Sequence, residues 1–394
     1  MQIKRFFIIV LDGAGVGALP DADFYGDQGS NTLGHVILKK NPYLPNLFEL
    51  GLGKILALEK VNGGKRPQGA YGKMAELSPG KDTTTGHWEL AGLTVSKPFP
   101  LYPRGFPREI ITEFERLIGR KTLGNIPFSG TEIIKKLGEE HLKTGFPIVY
   151  TSADSVFQVA AHEEIVPLEV LYRWCAEARR RILVGKHAVA RIIARPFRGK
   201  PGSFYRTEGR KDFSLPPPSV TLLDLVKQNS YEVWVAGKVK DIFAGKGVTR
   251  HLPAADNRST MDAVITALES NFQGLFWANF IDFDMLYGHR NDVDGYARAL
   301  EDFDLFLGKA LKLLRKGDML AITADHGCDP TFKGTDHTRE YVPLLIYSEK
   351  IVPCDLGIRE SFADLSATAL DVLGCKGRLH GQSFAKNLFK GIIQ

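Results

Sequence analysis

Hydrophobic positions along the chain follow two periods, and each predicts a kind of element. Phe6-Phe7-Ile8-Ile9-Val10-Leu11 is an unbroken apolar run closed by Asp12 and a glycine-rich turn. Continuous runs of this sort read as parallel strands covered on both faces. Leu275–Ile281 runs in the same way into Asp282-Phe283-Asp284, and Met319–Thr323 into Ala324-Asp325-His326-Gly327. Between them Tyr296, Leu300, Phe303, Leu307, Leu311 and Leu314 recur at three- and four-residue steps, which predicts an amphipathic helix with Gly317 as its stop. Strand, helix and strand in this order read as a right-handed crossover in an α/β sheet.

Proline breaks the pattern twice, at Pro98, Pro100, Pro103 and Pro107 and again at Pro216-Pro217-Pro218. It neither donates to a ladder nor sits inside a helix, so these clusters mark linkers. The chain's 394 residues exceed one ordinary core of about 100–200 residues. The expected organisation is therefore a discontinuous α/β core of residues 1–98 and 218–394, a mostly parallel sheet covered by helices. A smaller inserted α/β cap domain of residues 99–217 completes it. A 44% hydrophobic content supports folded cores rather than disorder. The six-residue apolar run near the start falls short of the roughly 20 residues that span a bilayer, and of an export signal of about 7–15. Cys175, Cys328, Cys354 and Cys375 form no C-x-x-C pair. They suit neither a disulfide scaffold nor a zinc knuckle, and a reducing cytoplasm is the expected compartment.

The carboxylates and imidazoles carry the chemistry. Asp12, Asp284 and Asp325 lie at or just past the C-terminal ends of the three predicted strands, the edge where open α/β sheets bind ligands. His289 follows Asp284 by five, His326 adjoins Asp325, and His337 lies eleven further on in Gly334-Thr335-Asp336-His337. Any one of these could be a helix cap or a surface group. Six on three strand ends make a nitrogen and oxygen ligand set for two divalent metals, with no thiolate required. Lys81-Asp82-Thr83-Thr84-Thr85-Gly86-His87-Trp88-Glu89 offers three hydroxyls that a metal pair could activate, and the chemistry alone does not choose among Thr83, Thr84 and Thr85. Gly13-Ala14-Gly15-Val16-Gly17-Ala18 fits a dinucleotide fingerprint, but Leu19-Pro20 follows where the helix should open. The glycines read better as letting backbone pass close to the metal site.

Charge adds an anion site. Net charge is only +6, yet residues 179–211 hold eleven Lys and Arg against one acid, Glu208. Arg191, Arg195 and Arg206 are candidates to clamp a phosphate, and Lys238, after the short strand ending Val235-Ala236-Gly237, could reach the same anion. Phe197, Phe204 and Tyr205 would permit base stacking, but no nucleic-acid motif accompanies them, so nucleic acid is not the expected partner.

Taken together, these segments resemble the prokaryotic phosphopentomutases of the alkaline phosphatase superfamily, relatives of the cofactor-independent phosphoglycerate mutases. The resemblance rests on Asp12, Asp82–Glu89, Thr151-Ser152-Ala153-Asp154-Ser155, Ile193–Phe197, Asp282–Asp284 with Gly288-His289-Arg290, Thr323–Gly327, and Gly334–Pro343. It implies an alkaline-phosphatase-like core and interconversion of ribose 1-phosphate and ribose 5-phosphate, with the 2-deoxy sugars also used. The resemblance further implies that Thr83, directly after Asp82, is phosphorylated. Asp284, His289 and His337 would hold one metal and Asp12, Asp325 and His326 the other, manganese in both places. Ser152, Asp154, Arg191, Arg206 and Lys238 would bind the sugar phosphate, glucose 1,6-bisphosphate or a like donor would prime Thr83, and the cap would keep water out. Metal-dependent phosphohydrolases and phosphoglycerate mutases of the same superfamily are the alternatives. Thr84 stands where relatives commonly have Met, and Cys328 where Asn is common, which places a thiol beside the metals and opens the site to oxidation or capture of a thiophilic metal.

Overall fold

A computed structural model describes residues 3–58, 66–152 and 154–389, so Ala153 of the Thr-Ser-Ala-Asp-Ser stretch lies outside the described residues. In chain order the strands are β1 (Arg5–Leu11), β2 (Ala70–Met74), β3 (Leu123–Pro127), β4 (Ile148–Thr151), β5 (Val156–His162), β6 (Arg191–Arg198) and β7 (Tyr205–Arg206). β8 (Lys211–Ser214), β9 (Glu232–Ala236), β10 (Arg250–Leu252), β11 (Gly274–Phe280), β12 (Asp318–Thr323), β13 (Val342–Tyr347) and β14 (Asp355–Arg359) follow. Two compact units result, one of Met1–Lys97 with Pro217–Gln394 and one of Pro98–Pro216.

The first unit is built on an eight-stranded sheet of order β10-β9-β11-β1-β12-β13-β2-β14. Only β13 runs against the rest. β1, β11 and β12 are buried at every residue, as their unbroken apolar runs predict. Each fully buried Phe, Leu or Ile there contributes roughly 1.5–3 kcal/mol by leaving water. β1 lies between the other two, with Leu11 opposite Phe280 and Val10 opposite Thr323. That register lines up three C-terminal strand ends, and Asp12, Asp284 and Asp325 all leave the sheet at the same edge. At the opposite edge the buried Arg5 guanidinium grips Asp318 through two bonds and the Ala267, Leu268 and Ser270 carbonyls, which fixes the bottom of β1 against β12.

The predicted crossover helix spans Val293–Leu313, with Asp292 capping it through the Gly295 amide. It ends before Gly317. Leu314 is already extended, and the Gly317 carbonyl instead accepts the Lys4 amide at the foot of β1. The glycine is thus used for strand docking and not as the helix stop. No helix opens after Gly13–Ala18; the next regular element is a short 3₁₀ turn, Ala22–Tyr25. Among the described residues no helix is long and apolar enough to cross a membrane.

The second unit carries the sheet β3-β4-β5-β6-β7, with β8 pairing β6. Alternate residues of β4 enter two separate cores. Val149 joins Phe106, Phe114, Phe157 and Leu171, while Ile148 and Tyr150 join Ile133, Phe197 and Phe204. The basic stretch is less uniform than its composition suggests. Arg179 donates to the Val189 and Leu183 carbonyls, Arg180 pairs with Glu177, Arg198 with Glu163, and Arg210 makes two bonds to Asp212, one residue beyond the counted stretch.

Candidate metal centre and phosphate-binding groups

At the shared strand edge of the first unit, Asp12 and Asp325 each have one oxygen fixed by the protein and one turned to the neighbouring imidazoles, while both oxygens of Asp284 face imidazoles. Asp12 follows β1 directly, and its Oδ2 accepts the Asn279 amide at 2.9 Å. Asp325 Oδ1 accepts the Gly13 backbone N–H at 3.1 Å, a contact made possible by the positive φ of Gly13, 74°. Asp284 sits on a π-helical turn, Phe283–Tyr287, that carries it past the end of β11. Asp12 Oδ1, Asp284 Oδ1, Asp325 Oδ2 and His337 Nε2 are buried and lack a hydrogen-bond partner. Buried polar atoms are nearly always satisfied. Four orphans converging on one place are what a divalent cation requires.

The imidazoles complete the set. His326 Nε2 lies 3.4 Å from Asp12 Oδ1 and 3.5 Å from Asp325 Oδ2. His289 Nε2 is 3.2 Å from Asp284 Oδ2, and His337 Nε2 is 3.4 Å from Asp284 Oδ1. Two of the rings are oriented from behind, His289 Nδ1 on the Thr335 carbonyl at 2.7 Å and His326 Nδ1 on the Gly327 carbonyl at 3.0 Å. Such outer contacts fix which nitrogen faces a metal. The donor atoms of Asp12, Asp325 and His326 fall within 4.8 Å of one another, as do those of Asp284, His326 and His337 and those of Asp284, His289 and Cys328. All six residues singled out in the sequence meet here.

Electrostatics report the same need for positive charge. Burial alone would raise Asp284 and lower His326. Instead the His337 and His289 rings drive the Asp284 carboxyl well below the usual carboxylate range, and Asp325 and Asp12 lift His326 well above the usual imidazole range. Asp325 is likewise held down at about 2, with burial overcome by His326 and His87. Both shifts of the Asp284 and Asp325 carboxyls favour their charged forms, and that of the His326 ring favours its protonated form, as neighbouring opposite charges do.

The Thr83–Leu90 helix starts beside this cluster. Asp82 caps it, accepting the Thr84 and Thr85 amides at 3.0 and 3.1 Å, and its second oxygen takes the Thr85 hydroxyl at 2.5 Å. Thr84 and Thr85 are buried, whereas Thr83 is half-buried with its Oγ1 3.2 Å from His326 Nε2. Three adjacent hydroxyls therefore have different fates, and only that of Thr83 meets the imidazole. Gly86 lets this helix approach, because a Cβ there would overlap the Asp325 carbonyl oxygen. Gly86→Ala is expected to destabilise the fold by about 1–3 kcal/mol through overpacking, read from chemical denaturation.

Several residues that organise the site have roles the sequence motifs do not assign. His87, fully buried, hydrogen-bonds the Thr83 carbonyl at 2.9 Å through Nδ1, which lies 3.1 Å from Asp325 Oδ2. Glu89 accepts the Leu77 and Ser78 amides and the Ser78 and Ser361 hydroxyls. Arg339 ties the loop before Asp82 to the strand after His337. The i, i+4 spacing of Thr83 and His87 was the one available clue, since it puts both on one helix face. The supposed dinucleotide glycines have steric jobs: a Cβ on Gly13 would press Cys328 Cβ at 2.8 Å, and one on Gly15 would strike the Glu340 carboxylate.

In the second unit Arg191, at the start of β6, lies 3.5 Å from Asp154 and 3.9 Å from Asp212, and Ser152 follows the end of β4. Arg206 reaches the start of the Gly130–Thr144 helix, where a Cβ on Gly130 would overlap its guanidinium and crowd the Tyr150 hydroxyl. The Arg191 and Arg206 Nε atoms and the Tyr150 hydroxyl are buried without partners. Arg195 donates to Gln158 at 3.1 Å and is lowered to about 10, chiefly by burial and then by Arg210. Lys238 belongs to the first unit, directly after β9 on the positive-φ Gly237.

Comparison with known proteins places the chain in a family. The profile of the metalloenzyme superfamily matches residues 4–377. The phosphopentomutase of Caldanaerobacter subterraneus subsp. tengcongensis is 57% identical over 389 residues, covering 98% of each chain. That of Acetivibrio thermocellus is 55% identical over 384 residues, 97% of this chain and 99% of its own. Among solved structures, the PH0037 protein of Pyrococcus horikoshii aligns with a TM-score of 0.51 at 15% identity, over 97% of this chain and 100% of its own. Phosphoglycerate mutase of Leishmania mexicana aligns at 0.50 with 14% identity, over 97% of both chains. At that identity the structural likeness speaks to the fold alone.

Proposed function

The chain belongs to the phosphopentomutase family of the metalloenzyme superfamily, and from that premise we propose that it interconverts α-D-ribose 1-phosphate and D-ribose 5-phosphate, and their 2-deoxy equivalents, through a phosphothreonine at Thr83. One observation carries the assignment of Thr83. Its hydroxyl alone among the three threonines meets His326, at the place where four buried atoms lack partners. Asp12, Asp325 and His326 would hold one divalent ion and Asp284, His289 and His337 the other, manganese by the family resemblance. When bound, the pair supplies Lewis-acid stabilisation of the oxygens that gain charge during phosphoryl transfer.

The protein's own groups set the rest of the path. Asp82 fixes the first turn of the helix and so aims the Thr83 side chain, whose Oγ1 lies 3.2 Å from His326 Nε2, the nitrogen that would face the ion. In the active form Thr83 carries the phosphoryl group, primed by glucose 1,6-bisphosphate or a similar donor. The free hydroxyl of the incoming pentose monophosphate attacks that phosphorus, the Thr83 Oγ–P bond breaks, and a pentose 1,5-bisphosphate forms. The return step passes the other phosphate to Thr83. Ser152, Asp154, Arg191, Arg206 and Lys238 bind the sugar phosphate; a guanidinium offers it two parallel N–H donors. Water has to be kept from phospho-Thr83, which would otherwise hydrolyse. The enzyme acts in the cytoplasm on free pentose phosphates.

Metal removal tests the site. Chelation with EDTA is expected to abolish turnover, with recovery on adding Mn²⁺, followed as ribose 5-phosphate formed from ribose 1-phosphate. Full activity after exhaustive chelation would remove the role given to the six ligands.

A further inference from the structure

Cys328 follows Asp325 and His326 by only a few residues, yet it faces a different part of the cluster. Its thiol is wedged between two glycines: a Cβ on Gly288 would lie 2.5 Å from Sγ, and one on Gly13 would lie 2.8 Å from Cys328 Cβ. The residue is buried, and its Sγ makes a long, weak hydrogen bond to the Asp336 carbonyl at 4.0 Å. Its Sγ, a carboxylate oxygen of Asp284 and a ring nitrogen of His289 lie within 4.8 Å of one another. Two observations independent of the thiol point to a cation at this place. His289 has Nδ1 committed to the Thr335 carbonyl at 2.7 Å, which presents Nε2 toward Asp284, and Asp284 itself is buried with Oδ1 unpartnered.

We infer that Cys328, Asp284 and His289 form an alternative site for a soft divalent ion such as cadmium or zinc, sharing two donors with the manganese position proposed above. A sulfur, nitrogen and carboxylate set is the donor chemistry such ions favour, whereas manganese prefers oxygen and nitrogen. On binding, the Cys328 S–H proton passes to solvent and a sulfur–metal bond forms, with no change of oxidation state. Because Asp284 and His289 serve both arrangements, a soft ion held by the thiol excludes the hard one. Cys328 thereby sets which metals the enzyme tolerates. This rests on the reading of Asp284 and His289 as metal ligands.

The test uses the full-length, chelator-treated protein with Cd²⁺ alone, following the thiolate-to-metal charge-transfer absorption in the ultraviolet, beside a Cys328→Ser variant and a Cys328→Asn variant. Both variants are checked for native folding by circular dichroism. Binding of Mn²⁺, by its electron paramagnetic resonance signal, is measured in all three. The expected result is a one-equivalent Cd²⁺ band in the parent that is lost in both variants. Mn²⁺ binding is retained in all three, and Cd²⁺ displaces one Mn²⁺ at least tenfold less readily from the variants. A band that persists in the variants comes from Cys354 or Cys375 and overturns the inference, as does a parent that binds Mn²⁺ but shows no band. Failure of every protein to bind Mn²⁺ overturns the ligand reading beneath it as well.

Discussion

Thr83→Ala abolishes the interconversion, lowering turnover by about 10³-fold or more, and leaves the protein unable to take up phosphate from a labelled bisphosphate donor. Losing the nucleophile removes the covalent path altogether, and neighbouring groups acting as a unit do not replace it. Thr84 and Thr85 cannot substitute, since both are buried and the Thr85 hydroxyl is held by Asp82. Fold and metal binding should be untouched, because the Thr83 hydroxyl contributes no cap; the capping bonds belong to Asp82. Thr83→Ser keeps the oxygen and is expected to retain part of the activity. Labelled phosphate counted on the intact protein, with turnover from the same preparation, checks both variants. Normal turnover in Thr83→Ala would show that the phosphoryl group travels by another route.

Arg339→Met should cost about 3–5 kcal/mol of stability, the range for breaking a buried ion pair from one side. The guanidinium is almost wholly buried. It donates to Glu76 Oε2 at 2.7 Å, to the Ser78 and Gly80 carbonyls at 2.8 and 2.6 Å, to the Glu76 carbonyl at 2.8 Å, and to both oxygens of Asp21 at 3.1 and 3.0 Å. Burial works against its charge, but Glu76 and Asp21 outweigh that and keep it protonated. Methionine fills similar space and leaves the Glu76 carboxylate and three carbonyls without donors. Arg339 stands two residues after His337, and its carbonyl partners lie on the loop leading to Asp82. The substitution therefore loosens the junction between the His337 and Thr83 segments as well. Urea unfolding followed by tryptophan fluorescence should show the transition displaced to lower urea. An unchanged midpoint would mean that the network adds nothing beyond the packing methionine preserves.

What could be read from the chain and what could not follow a physical line. The runs ending at Asp12, Ile281 and Thr323 were legible because strands buried on both faces need unbroken apolar sequence, and the ligand-bearing residues follow their ends. The six candidate ligands could be collected from those positions without knowing that β1 lies between β11 and β12. The choice among Thr83, Thr84 and Thr85 depended on the family resemblance, since spacing says nothing about which hydroxyl a cap absorbs. The π-helical turn at Phe283–Tyr287, which swings Asp284 toward His337, leaves no periodic trace. Gly317 misled because a glycine after a basic helix end fits a stop, while here tertiary pairing with β1 uses it. Arg339 and Glu89 lie inside the quoted motifs without a role there, because partners such as Glu76 and Ser361 lie far off in sequence and nothing local marks an ion that long-range folding will bury.

Product analysis tests the central claim most directly. Purified protein with Mn²⁺ is given ribose 1-phosphate, with and without catalytic glucose 1,6-bisphosphate, and ribose 5-phosphate and free phosphate are followed together. The expected result is ribose 5-phosphate without stoichiometric free phosphate, faster when the bisphosphate is present. Ribose and free phosphate as the main products would contradict the account, leaving a metal-dependent phosphohydrolase in which water, not a sugar hydroxyl, takes the phosphoryl group from Thr83.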